Sequence, residues 1–592
     1  MRNNNIKNNN ESRKIRHTFA VLARSLKHFR FAIIVAIIMS MISSLLGVFI
    51  PKILGEMTNT AVNTYPEIDF GTIISKVWLV ISLLLVAGIF NYAQGLILAI
   101  ATAKYTKKLR ERIIEKINRL PISYFDTHKI GDTLSRMTND VDTMAMTLSQ
   151  EITDLTGFLT IIIGVMIIML TISVPLSLIA FIVVPLSGVM IVTITKFAQK
   201  YFSERQKILG ELDGRVEEDY SGEIIIKSNS YEKTATSEFE RINNNLANAS
   251  EKAQFFSTLS FPVTHILTNL GYVAVCIVGG VFVVKGRINI GNIQAFIQYM
   301  SSFNRPITEL AQTMSTVQGL LASTERIFDF LAEPEEEPDV EPSLIIEDIK
   351  GAVEFHNVNF SYDGKNQIIR DFNVKVEPGT NVAIVGPTGA GKTTIISLLM
   401  RFYEPDSGYI TVDGTPIREM KRADVRKMFG MVLQDTWLFN GTVEENLRYG
   451  KHSATHEQVI NAAKASNVAH VIEALPHGYK SEISEDSDNI SAGEKQLITI
   501  ARAMVANPPM MILDEATSNV DTRTEKLIQD SLERLTRHRT SFVIAHRLST
   551  IRNSDLILVM RDGQIVEQGN HDSLLKAGGF YAELYNSQFA EN

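Results

Sequence analysis

Long runs without a charged residue recur in the first half of the chain, and none follows residue 304. Each run is long enough for a helix that crosses the roughly 30 Å apolar core of a bilayer. The run from 155 to 195 is too long for one helix, and Pro175 near its middle predicts a turn, because proline cannot continue the helix before it. The pattern predicts six membrane spans, at residues 31–51, 77–103, 155–173, 175–195, 253–284 and 288–310.

The sixth predicted span differs from the others because polar residues interrupt it. Asn292, Gln294 and Gln298 stand among its apolar residues, and Arg305 follows the uncharged run. Such a helix is costly against lipid but acceptable where it faces a water-filled cavity. A surface helix is the alternative for this segment alone.

The composition changes after the last span. Residues 333–342 are acidic and punctuated by proline, so they cannot pack a core and are typical of a linker. Beyond them, apolar strands such as Val382–Val385 alternate with helical patterns, which predicts an α/β domain. The predicted organisation is a cytoplasmic N-terminal segment at 1–30, a membrane α-helical domain at 31–332, an acidic linker at 333–350 and an α/β domain at 351–592.

Net charge bears on the kind of partner, and cysteine content bears on disulfide bonding. The net charge of −7 gives no support to a nucleic-acid partner. The single cysteine, Cys276, lies in an apolar run and permits no internal disulfide.

A phosphate-binding motif opens the second domain. The run from Gly386 to Thr393 matches G-x-x-x-x-G-K-[ST] and lies between a predicted strand and a predicted helix. In this context backbone N–H groups surround phosphate oxygens, Lys392 reaches the β- and γ-phosphates and Thr393 coordinates Mg²⁺. The predicted nucleotide-binding residues of this loop are Gly386, Thr388, Gly389, Gly391, Lys392, Thr393 and Thr394.

Two adjacent carboxylates end a second buried strand, where Asp514 and Glu515 follow Met510–Leu513. One carboxylate can hold Mg²⁺ while its neighbour polarises an attacking water. A strand ending in Asp-Glu is usually structural, but beside a phosphate-binding loop it favours hydrolysis of ATP. ATP and Mg²⁺ are therefore the predicted cofactors.

Topology supports six spans rather than five. Basic residues before the first span place it in the cytoplasm, and the segments 104–151 and 196–252 carry nine Lys or Arg residues each. These two segments are expected to be helical extensions of the spans, with breaks at Gly131-Asp132 and Ser221-Gly222. The ATPase domain needs cytoplasmic ATP, so both ends lie inside and the number of spans is even. Lys285 and Arg287, between spans five and six, fit this rule poorly.

The motifs together resemble one protein family. The run from Asn489 to Gln496, with Ser491 and Gly493 at its centre, resembles the ABC signature L-S-G-G-Q. The first half carries further motifs that resemble ABC exporters: Tyr124-Phe125-Asp126, Gly131-Asp132, Arg136, Asn139-Asp140-Val141 and Phe303-Asn304-Arg305-Pro306. The chain resembles an ABC exporter half-transporter, and in particular one subunit of the bacterial heterodimeric multidrug exporters.

The resemblance implies a role for each matching residue. Tyr362 would stack on adenine, and Ser491 and Gly493 would bind nucleotide held by a second subunit. Thr393, Gln434 and Asp514 would contact the metal, with Gln434 also binding nucleotide. The implied catalytic residues are Glu515, His546 and Lys392, and Asp521 would be the D-loop aspartate.

The signature departs from the family pattern at two positions. Ala492 replaces a glycine, and Glu494 replaces the glutamine. A carboxylate near the γ-phosphate would add repulsion on the order of 4 kcal/mol at 4 Å and an effective dielectric near 20. The P-loop side is complete, so a partner with an intact signature would complete one competent site. The sequence therefore favours a heterodimer with a second ABC half-transporter, and a homodimer that tolerates the altered signature is the alternative.

The implied function is ATP-driven export of hydrophobic or amphipathic small molecules, including drugs, across the plasma membrane by alternating access. The alternatives are a lipid flippase acting as a homodimer and a membrane-anchored regulatory ATPase. Polar residues in the spans are candidates for a substrate cavity or for helix–helix hydrogen bonds. They are Asn91, Gln94, His265, Asn269, Gln294 and Gln298.

Overall fold

The computed structural model describes residues 17–434, 436–485, 490–514, 521–545 and 548–589. The chain divides into two compact units. The first consists of the residues up to Asn118 together with Lys129–Pro334, and the second of Arg119–His128 together with the chain from Glu335 onwards. The two units are described separately.

The first unit is built from helices that exceed the thickness of a bilayer. A helix of 48 residues, the length of both α3 and α7, extends about 70 Å at 1.5 Å per residue. The elements are α1 (17–25), α2 (Arg30–Asn63), α3 (Phe70–Ile117), α5 (Ile130–Ser135), a π-helical turn (Arg136–Asp140), α6 (Val141–Ile172), α7 (Val174–Ser221), α8 (Glu223–Ser228), α9 (Glu232–Val284) and α10 (Ile290–Ala332). The helix α4 (Ile122–Thr127) belongs to the second unit.

Among the described residues, five helices are long and apolar enough to cross a membrane, namely the helices α2, α3, α6, α7 and α9. The helix α10 contains the polar-rich segment for which a sixth span is predicted. The helical fold class of this half is confirmed.

Two breaks in the helices follow from local chemistry. Ser173 adopts an extended conformation between α6 and α7, and Pro175 then falls in the first turn of α7, where no N–H donor is required. The first cytoplasmic hairpin instead breaks between Ile117 and Ile130, so Gly131 lies inside α5 and not at the turn where the sequence suggested a break.

Polar residues of α10 pair with α2 in the first unit. The Thr58 hydroxyl donates a hydrogen bond to Gln294, and the Tyr299 hydroxyl donates one to the Val48 carbonyl at 3.0 Å. Gln294, a candidate for a cavity, therefore serves a helix–helix contact here. These bonds satisfy polar groups that would be costly against lipid.

Two glycines bring α2 and α10 into backbone contact at the start of α10. A Cβ atom on Gly55 would lie 2.4 Å from the carbonyl oxygen of Gly291. The N–H of Gly291 donates to the Asn59 side chain at 2.7 Å, which satisfies a donor in the first turn of α10. The small residues thus permit close helix packing.

Two sheets form the framework of the second unit. A six-stranded sheet has the order β12-β11-β3-β10-β9-β6, and a four-stranded sheet has the order β2-β1-β4-β5. In the larger sheet every neighbouring pair is parallel except the β11–β12 pair. The strands are β1 (Val353–Ser361), β2 (Gln367–Val376), β3 (Asn381–Val385), β4 (Ser407–Val412), β5 (Thr415–Pro416), β6 (Phe429–Val432), β7 (Gly441–Thr442), β8 (Glu482–Ile483), β9 (Met510–Asp514), β10 (Thr540–Ile544), β11 (Leu556–Arg561) and β12 (Gln564–Gly569).

The helices of the second unit pack around two main apolar cores. One core joins the four-stranded sheet to α11, and the other is built around α16 and its neighbouring helices. The α/β class is confirmed for this half. The helices are α11 (Lys392–Leu399), α12 (Arg422–Met428), α13 (Val443–Arg448), α14 (His456–Ala465), α15 (Ala469–Ala474), α16 (Ala492–Ala506), α17 (Thr522–Thr536), α18 (Leu548–Arg552), α19 (His571–Ala577) and α20 (Phe580–Phe589).

The acidic segment after α10 contains no helix or strand, but it is tied to the second unit. The Arg422 guanidinium binds the Asp339 carboxylate at 3.0 Å, and the Arg422 backbone N–H donates to the same side chain at 3.1 Å. The Arg426 guanidinium lies 3.4 Å from Glu336. The acidic composition predicts only a linker, but the acidic side chains here bind basic residues of α12.

Candidate active site

Three parts of the candidate site, which are the phosphate-binding loop, Asp514 and Gln434, lie at one edge of the six-stranded sheet. The strands β3, β10, β9 and β6 are neighbours and run parallel, so their carboxyl ends lie at the same edge. The loop from Gly386 follows β3, Asp514 ends β9 and Gln434 comes shortly after β6. Ligands of parallel α/β sheets bind outside this edge of the strands.

The phosphate-binding loop needs glycine at two positions for different reasons. A Cβ atom on Gly386 would lie 2.3 Å from the carbonyl oxygen of Met560, so only glycine fits. Gly391 has φ of +96° and is the N-terminal cap of α11, which has no side-chain cap. The backbone N–H groups at the start of α11 are therefore available to an anion.

The Lys392 side chain folds back onto the phosphate-binding loop. Its amino group donates to the carbonyl oxygens of Gly386 at 2.7 Å and Pro387 at 3.1 Å. Burial lowers the pKa of Lys392, while the nearby Asp514 carboxylate opposes that shift. The site thus holds a buried cation between the loop and the carboxylate that ends β9.

The threonines of the motif point in different directions. Thr393 and Thr388 are exposed, as is Gly389, whereas Thr394 is buried. The Thr394 hydroxyl lies 3.1 Å from the hydroxyl of Tyr362. An exposed Thr393 hydroxyl is available to a metal ion, and the buried Thr394 joins the loop helix to Tyr362.

Tyr362 follows β1 and stands in a cluster of three aromatic rings. Its ring centroid lies 4.9 Å from that of Phe360 and 5.0 Å from that of Tyr403, both in edge-to-face geometry. Half of the Tyr362 side chain remains exposed. A half-exposed aromatic ring close to the phosphate-binding loop suits a base–aromatic contact.

Gln434 is exposed at the same sheet edge. The two predicted catalytic residues Glu515 and His546 lie outside the described residues, as does Asn489 of the signature run. Asp521, the predicted D-loop aspartate, is the N-terminal cap of α17 and accepts hydrogen bonds from the N–H groups of Arg523 and Thr524. These bonds lower the pKa of Asp521, with Thr524 as the largest cause.

The altered signature forms the start of α16, which packs in a different apolar core from α11. Ser491 is the N-terminal cap, and its backbone N–H and its hydroxyl both donate to the Glu494 carboxylate at 2.8 Å. The Glu494 N–H returns a 3.4 Å hydrogen bond to the Ser491 hydroxyl, which completes a capping box. Gly493 is buried, whereas Ala492 and Ser491 are exposed.

One contact near this site joins residues that no sequence motif connects. The Tyr403 hydroxyl donates a hydrogen bond to the Asp126 carboxylate of α4, within the second compact unit. The two residues are 277 positions apart. No periodicity or motif spacing links such distant residues.

The described residues fit a magnesium-bound nucleoside triphosphate. The uncapped start of α11 and Lys392 offer donors to phosphate, and Asp514 with the exposed Thr393 offers oxygen ligands of the kind that Mg²⁺ prefers. Tyr362 offers a ring to the base.

Comparison with family models identifies both halves of the chain. Residues 33–307 match the ABC transporter transmembrane region, and residues 369–518 match the ABC transporter family. The two matches follow one another in the order that the sequence predicted.

Individual relatives cover most of the chain. A fatty acid ABC transporter ATP-binding/permease protein of Mycobacterium bovis is 46% identical over 87% of this chain and 82% of its own length. An ATP-dependent lipid A-core flippase of Desulfotalea psychrophila is 36% identical over 86% of this chain and 89% of its own length. The solved structure of a bacterial Atm1-family ABC exporter with ATP bound is 27% identical, with a TM-score of 0.73 over 95% of this chain and 98% of that chain.

Proposed function

Because this chain belongs to the ABC exporters that fuse a transmembrane region to an ATP-binding domain, we propose that it exports hydrophobic or amphipathic small molecules as one subunit of a heterodimer. ATP hydrolysis with Mg²⁺ drives transport across the cell membrane by this multi-pass protein. The substrate class, the partner and the roles of individual residues are the proposal.

The proposed roles follow from the sheet edge. Lys392 and the N–H groups at the start of α11 bind the β- and γ-phosphates, and Tyr362 stacks on adenine. Thr393, Asp514 and Gln434 hold Mg²⁺ and its waters. For Glu515 and His546, outside the described residues, we propose that they polarise the attacking water and contact the γ-phosphate.

Two sources of support favour an amphipathic substrate. The 46% identical relative is named a fatty acid transporter and the 36% identical relative a lipid A-core flippase. Both names describe molecules with an apolar body and a polar head. Drug-like amphipaths share that chemistry, so the proposed substrate class includes both lipids and drugs. Lipid flipping by a homodimer is the second candidate, favoured by the same names.

The capping box at the signature carries the heterodimer proposal. In the described structure both donors of Ser491 are used by the Glu494 carboxylate of the same chain. A phosphate that approached this helix from a second subunit would meet a negative charge and engaged donors. We therefore expect the site formed with this signature to be slow, and the site formed with this chain's P-loop to be competent if the partner's signature is intact.

The test is ATP turnover of the purified chain in lipid, alone and together with candidate partner half-transporters. Activity that appears only with a partner, and that Glu515→Gln in this chain abolishes, supports the heterodimer. Full turnover and a stable two-fold dimer of the chain alone would replace it with the homodimer.

Substrate class is measured separately, in vesicles that contain the active complex. Stimulation of ATP turnover by drugs or fatty acids, with ATP-dependent movement of the same molecule, supports export. Turnover without movement of either class would favour the third reading, a membrane-anchored regulatory ATPase.

A further inference from the structure

Tyr403 joins a cytoplasmic loop helix to the nucleotide edge. Its hydroxyl donates a hydrogen bond to Asp126 on α4. Its ring meets the ring of Tyr362 edge to face at 5.0 Å and an interplanar angle of 88°. One side chain therefore contacts both the loop helix and the proposed adenine platform.

The Tyr362 side chain contacts two aromatic rings and, through its hydroxyl, Thr394, while half of it stays exposed. Phe360 contacts the rings of both Tyr362 and Tyr403, at 4.9 and 5.5 Å. Thr394 meets the Tyr362 hydroxyl at 3.1 Å. Edge-to-face pairs have a preferred geometry, so a displaced Tyr403 ring changes the orientation that Tyr362 prefers.

The hydrogen bond to Asp126 stays available at neutral pH. Burial raises the pKa of the Tyr403 phenol, and the bond to the Asp126 carboxylate raises it further. The phenol therefore remains protonated and continues to donate.

We propose that Tyr403 is a positioning residue that holds Tyr362 ready for the adenine base and couples its orientation to the position of α4. The proposal rests on the proposed stacking of adenine on Tyr362. Because coupling between two sites is reciprocal, a bound base would in turn favour the α4 position in which Asp126 accepts from Tyr403.

The experiment compares equilibrium binding of ATP with that of inorganic tripolyphosphate, which lacks a base, to the full chain in lipid nanodiscs. The variants are Tyr403→Ala, Tyr403→Phe, Asp126→Ala and the Tyr403→Phe/Asp126→Ala double variant. Tyr409→Phe is the matched control, since Tyr409 is a half-exposed tyrosine of the same unit whose ring stacks on His356.

We expect Tyr403→Ala to weaken ATP binding about tenfold, within the range of base–aromatic stacking, and to leave tripolyphosphate unchanged. Tyr403→Phe and Asp126→Ala should each weaken ATP binding about threefold, as loss of one hydrogen bond would. The double variant should match either single variant, because both remove the same bond. The control should bind both ligands as the unaltered chain does.

Three outcomes would overturn the positioning role. They are equal weakening of ATP and tripolyphosphate by Tyr403→Ala, unchanged ATP binding in Tyr403→Phe, and additive losses in the double variant. If Tyr403→Ala does not fold, Tyr403→Phe and Asp126→Ala carry the test.

Tyr362→Ala separates this proposal from the proposed function. If it leaves ATP binding unchanged, the adenine platform itself is wrong. If it weakens ATP binding while the Tyr403 variants do not, only the positioning role is wrong.

Discussion

Two helix N-termini of the second unit differ in whether their hydrogen-bond donors are available to an anion. The helix α11 begins after Gly391, and no side chain accepts a hydrogen bond at its cap. The helix α16 begins after Ser491, whose hydroxyl and N–H both donate to the Glu494 carboxylate. Both ends carry the partial positive charge of a helix N-terminus. The difference teaches that a glycine cap leaves a helix terminus open to phosphate, while an internal carboxylate fills it.

The largest expected effect is at the open terminus. Lys392→Ala removes the cation within the loop and should lower ATP turnover by about 10²- to 10³-fold, the scale of losing one preorganised donor. Turnover of the active complex in lipid measures the loss. Lys427→Ala, at a largely exposed lysine of α12, is the control. Turnover within a few-fold of the unaltered complex would show that Lys392 does not hold the reacting phosphates.

A side chain at the glycine cap should distort the open terminus. Gly391→Ala places a Cβ atom 2.7 Å from Ile369 and strains a backbone with φ of +96°. Strain of about 2 kcal/mol predicts a loss of ATP affinity on the order of thirtyfold. Gly364→Ala is the matched control, since Gly364 also has positive φ, at +68°, but open space around it. Equal losses in both variants would assign the effect to general backbone strain.

Removing the carboxylate from the closed terminus should make it more like the open one. Ala492→Gly combined with Glu494→Gln should raise ATP turnover of the chain purified alone on the order of tenfold, because the repulsion of phosphate is relieved. Glu445→Gln controls for the loss of a capping carboxylate, since Glu445 completes the same kind of box at α13. No gain over that control would mean that the signature is not what limits the chain alone.

The smallest expected effect concerns stability. Ser491→Ala removes a capping hydroxyl, which costs about 1 kcal/mol. Thr442→Ala removes the equivalent group from α13. We expect both to lower the first thermal transition of the full chain by about 2 °C and neither to lower turnover of the complex by more than a few-fold, because the site formed with this signature is the slow one. A loss of turnover in Ser491→Ala that Thr442→Ala does not share would show that Ser491 contributes to the reaction.

Local chemistry made much of this predictable. The phosphate-binding loop and the pair after β9 are contiguous motifs, and parallel strands bring their ends to one edge. The S-x-x-E spacing of Ser491 and Glu494 also indicates a capping box. From the sequence, Glu494 was expected only to repel phosphate, but its carboxylate accepts hydrogen bonds from Ser491 of its own chain.

Contacts between distant segments were not predictable. Asp126 and Tyr403 are joined only because the chain folds α4 into the second unit. The ion pair between Asp339 of the acidic segment and Arg422 of α12 was not predicted either. Gln294 was equally suited to a cavity or to a helix contact until its partner Thr58 was known. In each case the residue type was visible and the partner was not.

The sequence by itself determined the two-part organisation, the family resemblance and the residues of the phosphate-binding loop. Those features depend on periodicity and short motifs, which are properties of neighbouring residues. The tertiary structure decided which helix terminus is open, which polar groups of the spans are already paired and which side chain contacts both Asp126 and Tyr362. Those features depend on contacts between segments far apart in the chain, and only packing of the folded chain brings such segments together.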